Sequence, residues 1–478
     1  IFNFSRKQYK IGLMKTFYNL INIAIVIIYL GNYSLQAQSN FKSPAYEHFI
    51  LDNGLKVYMV VQKEVPLVHF RAVVPAGVRQ DSKEQAGLSE LTANLLSSGT
   101  ASYDKETIET TLDFMGASYN SSSNMEAAVL TSSFINKDLP LVLPILMEML
   151  VKPSFQEAEF VKLKQRTVAG VDQSRESPRS VINNYFNQLV YGAHPYANIP
   201  SGTKQSIGRI ELKDVNRFYS DHYTPKGSVI AVVGDFNPTE MKTQLTNLFS
   251  SWSNVGKVKN NSTVFPSLDS SKVVVVNKED ARETTLLIGG LGVPRNVSDY
   301  IGIQVINTIL GGRFTSWLND ELRVNSGLTY GARSGFSALR EGGSFSMSTF
   351  TANETTEQTI DLLLKTYQKI HETGIDSKTL ESAKNYVKGQ FPPDYETNAA
   401  IARFFTDAYT YELPLDYIDR FNEAVSSIDV AKANQIIKDY FPKENMQMVF
   451  IGKASEITPI VSKYGPVKVL EISEDVYE

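Results

Sequence analysis

The stretch Gly87–Thr100, "GLSELTANLLSSGT", has the frame of a helix that could hold a metal ion. Leucines at 88, 91, 95 and 96 form a helical apolar stripe, and Gly99-Thr100 closes the run. The positions that read as outward are Ser89, Glu90, Ala93 and Asn94, of which only Glu90 could bind a cation strongly. One carboxylate without imidazole partners holds zinc poorly, so the ordinary reading of Glu90 is a solvated helix residue. The five histidines, His48, His69, His194, His222 and His371, add nothing to it. No two lie three to five residues apart, so no helical turn presents paired imidazoles. His194 and His222 stand beside turn-like "HPY" and "HYTP" stretches and read as structural. Cysteine is absent, which removes disulfides, thiolate metal sites and a cysteine nucleophile together.

The elements that would carry such residues alternate between short β-rich runs and amphipathic helices. "LKVYMVVQ" and "VHFRAVVPAG" read as strands, and Gly116–Phe134 as a strand pair. "AEFVKLKQRTVAGVDQSR" and "TIDLLLKTYQKIHETG" read as helices. The chain is long for one core at 478 residues, and residues 253–272, rich in Asn, Ser and Lys, read as a linker. The two sides of that linker resemble each other. "IELKDVNRFYSDHYTPKGSVIAVVGD" from Ile210 and "IDVAKANQIIKDYFPKENMQMVFIGK" from Ile428 align at an offset of 218, including Asp221 with Asp439 and Gly234 with Gly452. Gly87, Leu91 and Leu95 fall on Gly302, Ile306 and Leu310 at an offset of 215. Two alignments in the same order at nearly equal offsets imply a duplicated α+β unit.

Composition narrows the partners. Hydrophobic residues at 42% and charged residues at 21% are ordinary for a globular protein, and a net charge of −4 without a basic stripe argues against nucleic acid. From Met14 the chain carries Lys15, an apolar stretch from about Ile21 to Leu30, and "SLQA" before Gln38. This is the order of a secretory signal cleaved after Ala37. A membrane anchor is the rival reading, but the apolar run falls short of the roughly 20 residues a span needs. Residues 1–37 are therefore expected to be an upstream extension and signal. The product is expected to be exported, periplasmic or extracellular, with no integral membrane domain after signal removal.

Two further stretches carry a family resemblance. "HPYANIPSGTKQSIGRIELKDVNRFYSDHYTPKGSVIAVVGDF", residues 194–236, and "LGGRFTSWLNDELRVNSGLTYGARSGF", residues 310–336, closely resemble the pitrilysin/insulinase metallopeptidases, the inverzincins. The likeness extends from about residue 45 to 460. It implies an α+β fold of two homologous halves, each a mostly antiparallel sheet with helices packed on one face. The N-terminal domain is expected at 41–252 and the C-terminal domain at 273–478.

Members of that family carry H-x-x-E-H, which sets two imidazoles one helical turn apart on a zinc ion with a glutamate base between them. Laid on that pattern, this chain has Glu90 for the first histidine, Ala93 for the base and Asn94 for the second histidine. Gly170, in "TVAGVDQSR", stands where a later helix supplies the third ligand. No zinc is expected in this chain. In "ELRVNSGLTY", by contrast, Arg323 and Tyr330 match the pair that the resemblance implies grips the substrate carbonyl. Gly311 and Gly312 of "LGGRF" would let the backbone approach another surface, or start a helix.

Keeping one set of residues and lacking the other suits a non-catalytic subunit of a heterodimeric zinc peptidase. Such a chain would supply Arg323 and Tyr330 in trans and half of a chamber that encloses unfolded peptide. Zinc would reside in a homologous partner subunit. The alternative is a metal-free scaffold or peptide-binding protein of the same fold. A third reading is an independent hydrolase with a rearranged metal site built from scattered histidines, which a metal measurement on the isolated chain would decide.

Overall fold

Two six-stranded sheets account for the duplication. In the computed structural model, residues 42–253, 256 and 263–474 are described. The expected signal at 1–37 lies outside the described residues, as do 254, 255 and 257–262 of the expected linker. The first sheet is built from β1 (Glu47–Ile50), β2 (Lys56–Val61), β3 (Leu67–Val74), β4 (Ser118–Ser123), β5 (Ala128–Ile135) and β6 (Val229–Gly234), in the order β1-β2-β6-β3-β5-β4. The second is built from β7 (Lys272–Asn277), β8 (Glu283–Leu291), β9 (Arg333–Ala338), β10 (Gly343–Ala352), β11 (Gln447–Gly452) and β12 (Val467–Glu471), in the order β12-β7-β11-β8-β10-β9. Five of the six positions correspond one to one. The remaining edge is supplied by β1, antiparallel to β2, in one sheet and by β12, parallel to β7, in the other. Antiparallel pairings form the majority in both sheets.

Helices α1 (Leu88–Leu95), α2 (Leu139–Val151), α3 (Glu157–Ser174), α4 (Pro178–Tyr191) and α5 (Leu212–His222) belong to the first half of the chain. Helices α6 (Tyr300–Asn307), α7 (Thr356–Glu372), α8 (Ser377–Gln390), α9 (Asn398–Thr410) and α10 (Val430–Tyr440) belong to the second. The α5/α10 and β6/β11 pairs keep the offset of 218 read from the sequence. One polar detail repeats as well. Lys164 Nζ on α3 donates to the carbonyls of Gly208 and Ile210, at 2.8 and 2.7 Å. Lys384 Nζ on α8 donates to those of Ser426 and Ile428, at 3.1 and 3.0 Å. Each ammonium thereby satisfies backbone acceptors just ahead of the next helix.

The first core gathers the α1 leucines, α2 and α5 onto one face of the first sheet, through Met59, Phe70 and Leu130. The opposite face is not left to solvent. Helix α9, from the second half, lies on β3 and β6, with Phe405 stacked on Tyr58 at 5.1 Å between ring centroids. Reciprocally, α4 from the first half buries Val181, Ile182, Tyr185 and Phe186 against Val274, Val276, Leu287, Val449 and Ile451 of the second sheet. This exchange explains why "VIAVV" and "VVVV" run apolar without alternation: a strand covered on both faces has no polar side. From Pro44 onward the described residues form one compact unit. Among them no helix is long and apolar enough to cross a membrane.

Candidate functional site

Helix α1 begins at Gly87, whose φ of +94° lies in the left-handed region and whose added Cβ would sit 2.5 Å from Ile207 Cδ1. Its free N–H groups are capped from a distance by Asp81. The N–H of Gly87 and the hydroxyl of Ser89 each donate to Asp81 Oδ2 at 3.0 Å, and the N–H of Ser89 donates to Oδ1 at 2.9 Å. Burial pushes the Asp81 carboxyl up to about 8, against those three hydrogen bonds, which favour the anion.

Two of the positions read as outward are in fact interior. Ser89 is turned in by its bonds to Asp81, and Ala93 is fully buried. At Ala93 the cover comes from edge strand β4, where Ser121 Oγ donates to the Ala93 carbonyl at 2.6 Å. Glu90 and Asn94 stay partly exposed but engage each other, Asn94 Nδ2 donating to Glu90 Oε1 at 2.8 Å. The other oxygen, Glu90 Oε2, accepts from the N–H of Ser123 at 2.6 Å. Gly170 lies exposed on α3, with nothing near its Cα to take a ligand's place. The four positions therefore do not fit zinc: one is a methyl group, one has no side chain, and the remaining two satisfy one another. Among the described residues no three His, Cys, Asp or Glu side chains stand together as a metal site.

The second half builds a different surface. Two wide helical turns, Thr308–Gly312 and Asp320–Asn325, follow α6, in the kind of irregular helix that recurs at functional sites. Gly311 makes the first possible, since a Cβ there would lie 2.3 Å from the Ser334 nitrogen on β9. This is the close approach expected of "LGGRF", at the end of a helix rather than at its start. Asn319 Oδ1 accepts from the N–H of Ala332 at 2.9 Å. Thr351 and Thr349, on β10, donate to the carbonyls of Leu328 and Gly331 at 2.7 and 3.0 Å. These bonds fix the segment that carries Tyr330.

On that frame the Arg323 guanidinium carbon sits 4.8 Å from the Tyr330 ring centroid and 4.7 Å from that of Phe314. Tyr330 is 78% exposed and Phe314 64%. Among the described residues no carboxylate pairs with Arg323, so its N–H donors and the Tyr330 hydroxyl are open to an outside acceptor. The fold thus brings Arg323 and Tyr330 together, while no hydrogen bond or ion pair joins them to Glu90, Asn94 or Gly170.

A polar junction that the sequence did not disclose ties the halves. Glu126 accepts from Arg79 at 3.1 Å, from the Tyr196 hydroxyl at 2.5 Å and from the Arg340 N–H at 2.9 Å. Glu341 takes the other face of Arg79 and lies 3.2 Å from His194 Nε2. His194 is buried here, its Nδ1 accepting from the Tyr196 N–H at 3.2 Å. The junction borders a cavity of about 780 Å³ that Tyr58 and Tyr409 also line.

Residues 57–204 match the family described as Insulinase (Peptidase family M16), and residues 209–387 match the Peptidase M16 inactive domain. The chain is 22% identical over 358 residues to an "Uncharacterized zinc protease YmxG" of Bacillus subtilis (strain 168), spanning 75% of this chain and 86% of that protein. It is 23% identical over 390 residues to a "Non-peptidase homolog YmxG" of Helicobacter pylori (strain ATCC 700392 / 26695), spanning 81% and 89%. A crystal structure of a peptidase M16 inactive domain from Pseudomonas fluorescens superposes with a TM-score of 0.80 at 25% identity, over 86% of this chain and 98% of that one.

Proposed function

The chain belongs to the peptidase M16 family, as a member whose metal-helix positions hold no ligand set, and from that premise we propose that it is the non-catalytic subunit of a two-chain zinc peptidase. In this reading a homologous partner carries zinc and the general base, and this chain closes over it. The observation that carries the reading is Arg323: a half-buried guanidinium that, among the described residues, meets no carboxylate and stands beside an exposed phenol. Fixed donors of this kind lower the energy of negative charge as it develops on a substrate carbonyl oxygen, because they are already oriented when the charge appears. In this reading Arg323 offers in-plane N–H groups, and Tyr330 one O–H, to the same peptide oxygen. The nucleophile, in the same reading, is made by the partner, and this chain supplies donors and one wall of the space that holds the peptide. The Lys15-to-Ala37 pattern supports an exported location.

The test is reconstitution. The isolated chain should take up no stoichiometric zinc and cleave no unfolded peptide. Mixed with an exported relative that has an intact H-x-x-E-H helix, it should raise that relative's turnover. A mixture that assembles without any gain would leave this chain a scaffold.

A further inference from the structure

Phe314 stands outside the core. Its phenyl ring is 64% exposed, and the ring centroid lies 4.7 Å from the Arg323 guanidinium carbon. The residue before it is anchored on both sides. The Arg313 guanidinium donates to Ser382 Oγ at 3.1 Å, and the Arg313 carbonyl accepts from Asn319 Nδ2 at 3.4 Å. Two residues on, Ser316 is fully buried. The ring is therefore presented from a fixed stretch of chain.

Resting on the catalytic reading above, we infer that Phe314 is a positioning residue that, with Tyr330, orients Arg323 toward the substrate. The usual way to fix an arginine is a carboxylate, but a carboxylate occupies the same in-plane N–H groups that a substrate carbonyl needs. An aromatic ring attracts the cation through its face and leaves those donors open. Arg323 lies over two such rings and, among the described residues, beside no carboxylate. The arrangement holds the cation without using up its hydrogen bonds.

The isolated chain provides one test, independent of any partner. With arginine labelled by nitrogen-15, the Arg323 Nε–Hε resonance, assigned through Arg323→Lys, should lie upfield under the ring currents. Phe314→Leu keeps an apolar side chain but should move that resonance toward the position of free arginine, and Phe314→Tyr should restore it. No movement in Phe314→Leu overturns the inference. The assembled peptidase provides the second test. Phe314→Leu should lower kcat/KM roughly fivefold, the scale of a cation–π contact, with the affinity between subunits unchanged. That loss should vanish when the same change is made in Arg323→Ala. A loss of equal size in both backgrounds would mean the ring acts on the partner or the peptide directly, and overturns the inference. If Arg323→Ala itself leaves turnover unchanged, the catalytic reading fails, and the resonance shift still decides whether the ring orients the guanidinium.

Discussion

Asn94 Nδ2 donates to Glu90 Oε1 at 2.8 Å, closing side chain to side chain the one-turn gap that paired imidazoles would hold open for a metal ion. With Ser123 N–H on the second oxygen, Glu90 is a structural tie between α1 and edge strand β4.

Glu90→His together with Asn94→His should therefore do two things at once. It should destabilise the fold by about 1 kcal/mol, since the half-buried N–H of Ser123 loses its partner. It should also create an i, i+4 imidazole pair that takes up zinc weakly, because Gly170 provides no third ligand. Metal analysis and denaturant unfolding of the same preparation check both. Tight stoichiometric zinc in the unmodified chain would contradict the account of this site.

His69 sets a pH dependence. Buried on β3 with its Nδ1 at 2.7 Å from Ser133 Oγ, it is pushed down to about 4, by burial first and by the Arg71 charge second. The folded chain thus holds a neutral imidazole where the unfolded chain binds a proton. The contribution is complete above about pH 6.5 and is lost as pH falls through 4, about 3 kcal/mol over that window. The Asp81 carboxyl, raised by burial, works in the opposite sense over the same window, so the His69 contribution is read as a difference. Relative to the unmodified chain, His69→Gln should gain about 3 kcal/mol of unfolding free energy as pH falls from 6.5 to 4. A difference that does not change with pH would remove His69 as its source.

The exchanged helices make the halves interdependent. Phe186→Ala on α4 should destabilise by about 3–5 kcal/mol, as should Phe405→Ala on α9, each leaving a void against the sheet of the other half. Both halves should still unfold in one transition, read by calorimetry. Two separated transitions would show that the exchange does not couple them.

Gly311→Ala tests the frame under Arg323. Its Cβ would press on the Ser334 backbone, and backbone cannot step aside as a side-chain tip can, so a loss of roughly 1–3 kcal/mol is expected. Full stability would mean that the approach to β9 is looser than described.

The repeat was legible because α5/α10 and β6/β11 keep one offset and one order of helix, turn, strand and glycine. The exchange of α4 and α9 was not. The apolar face of Val181, Ile182, Tyr185 and Phe186 says that this helix is buried, and says nothing about which of two similar sheets receives it. Periodicity likewise placed the leucine stripe of α1 but left Ser89 and Ala93 outward, because Ser89 is turned in by Asp81 and Ala93 is covered by β4, some thirty residues on. Asp81 escaped for the same reason: a cap that reaches across a loop leaves no spacing signature. At Arg323 and Tyr330 the motif itself marked the pair, whereas the Phe314 ring gained meaning only from its distance to the guanidinium.

We propose that this chain donates an oriented cation to chemistry performed on another. The direct measurement of that claim is kcat/KM of the reconstituted two-chain enzyme with Arg323→Ala, with assembly followed by sedimentation in the same samples. Removal of one fixed donor should cost roughly a hundredfold or more in turnover while the complex forms as before. Turnover equal to that of the unmodified pair, in a fully formed complex, would contradict the claim.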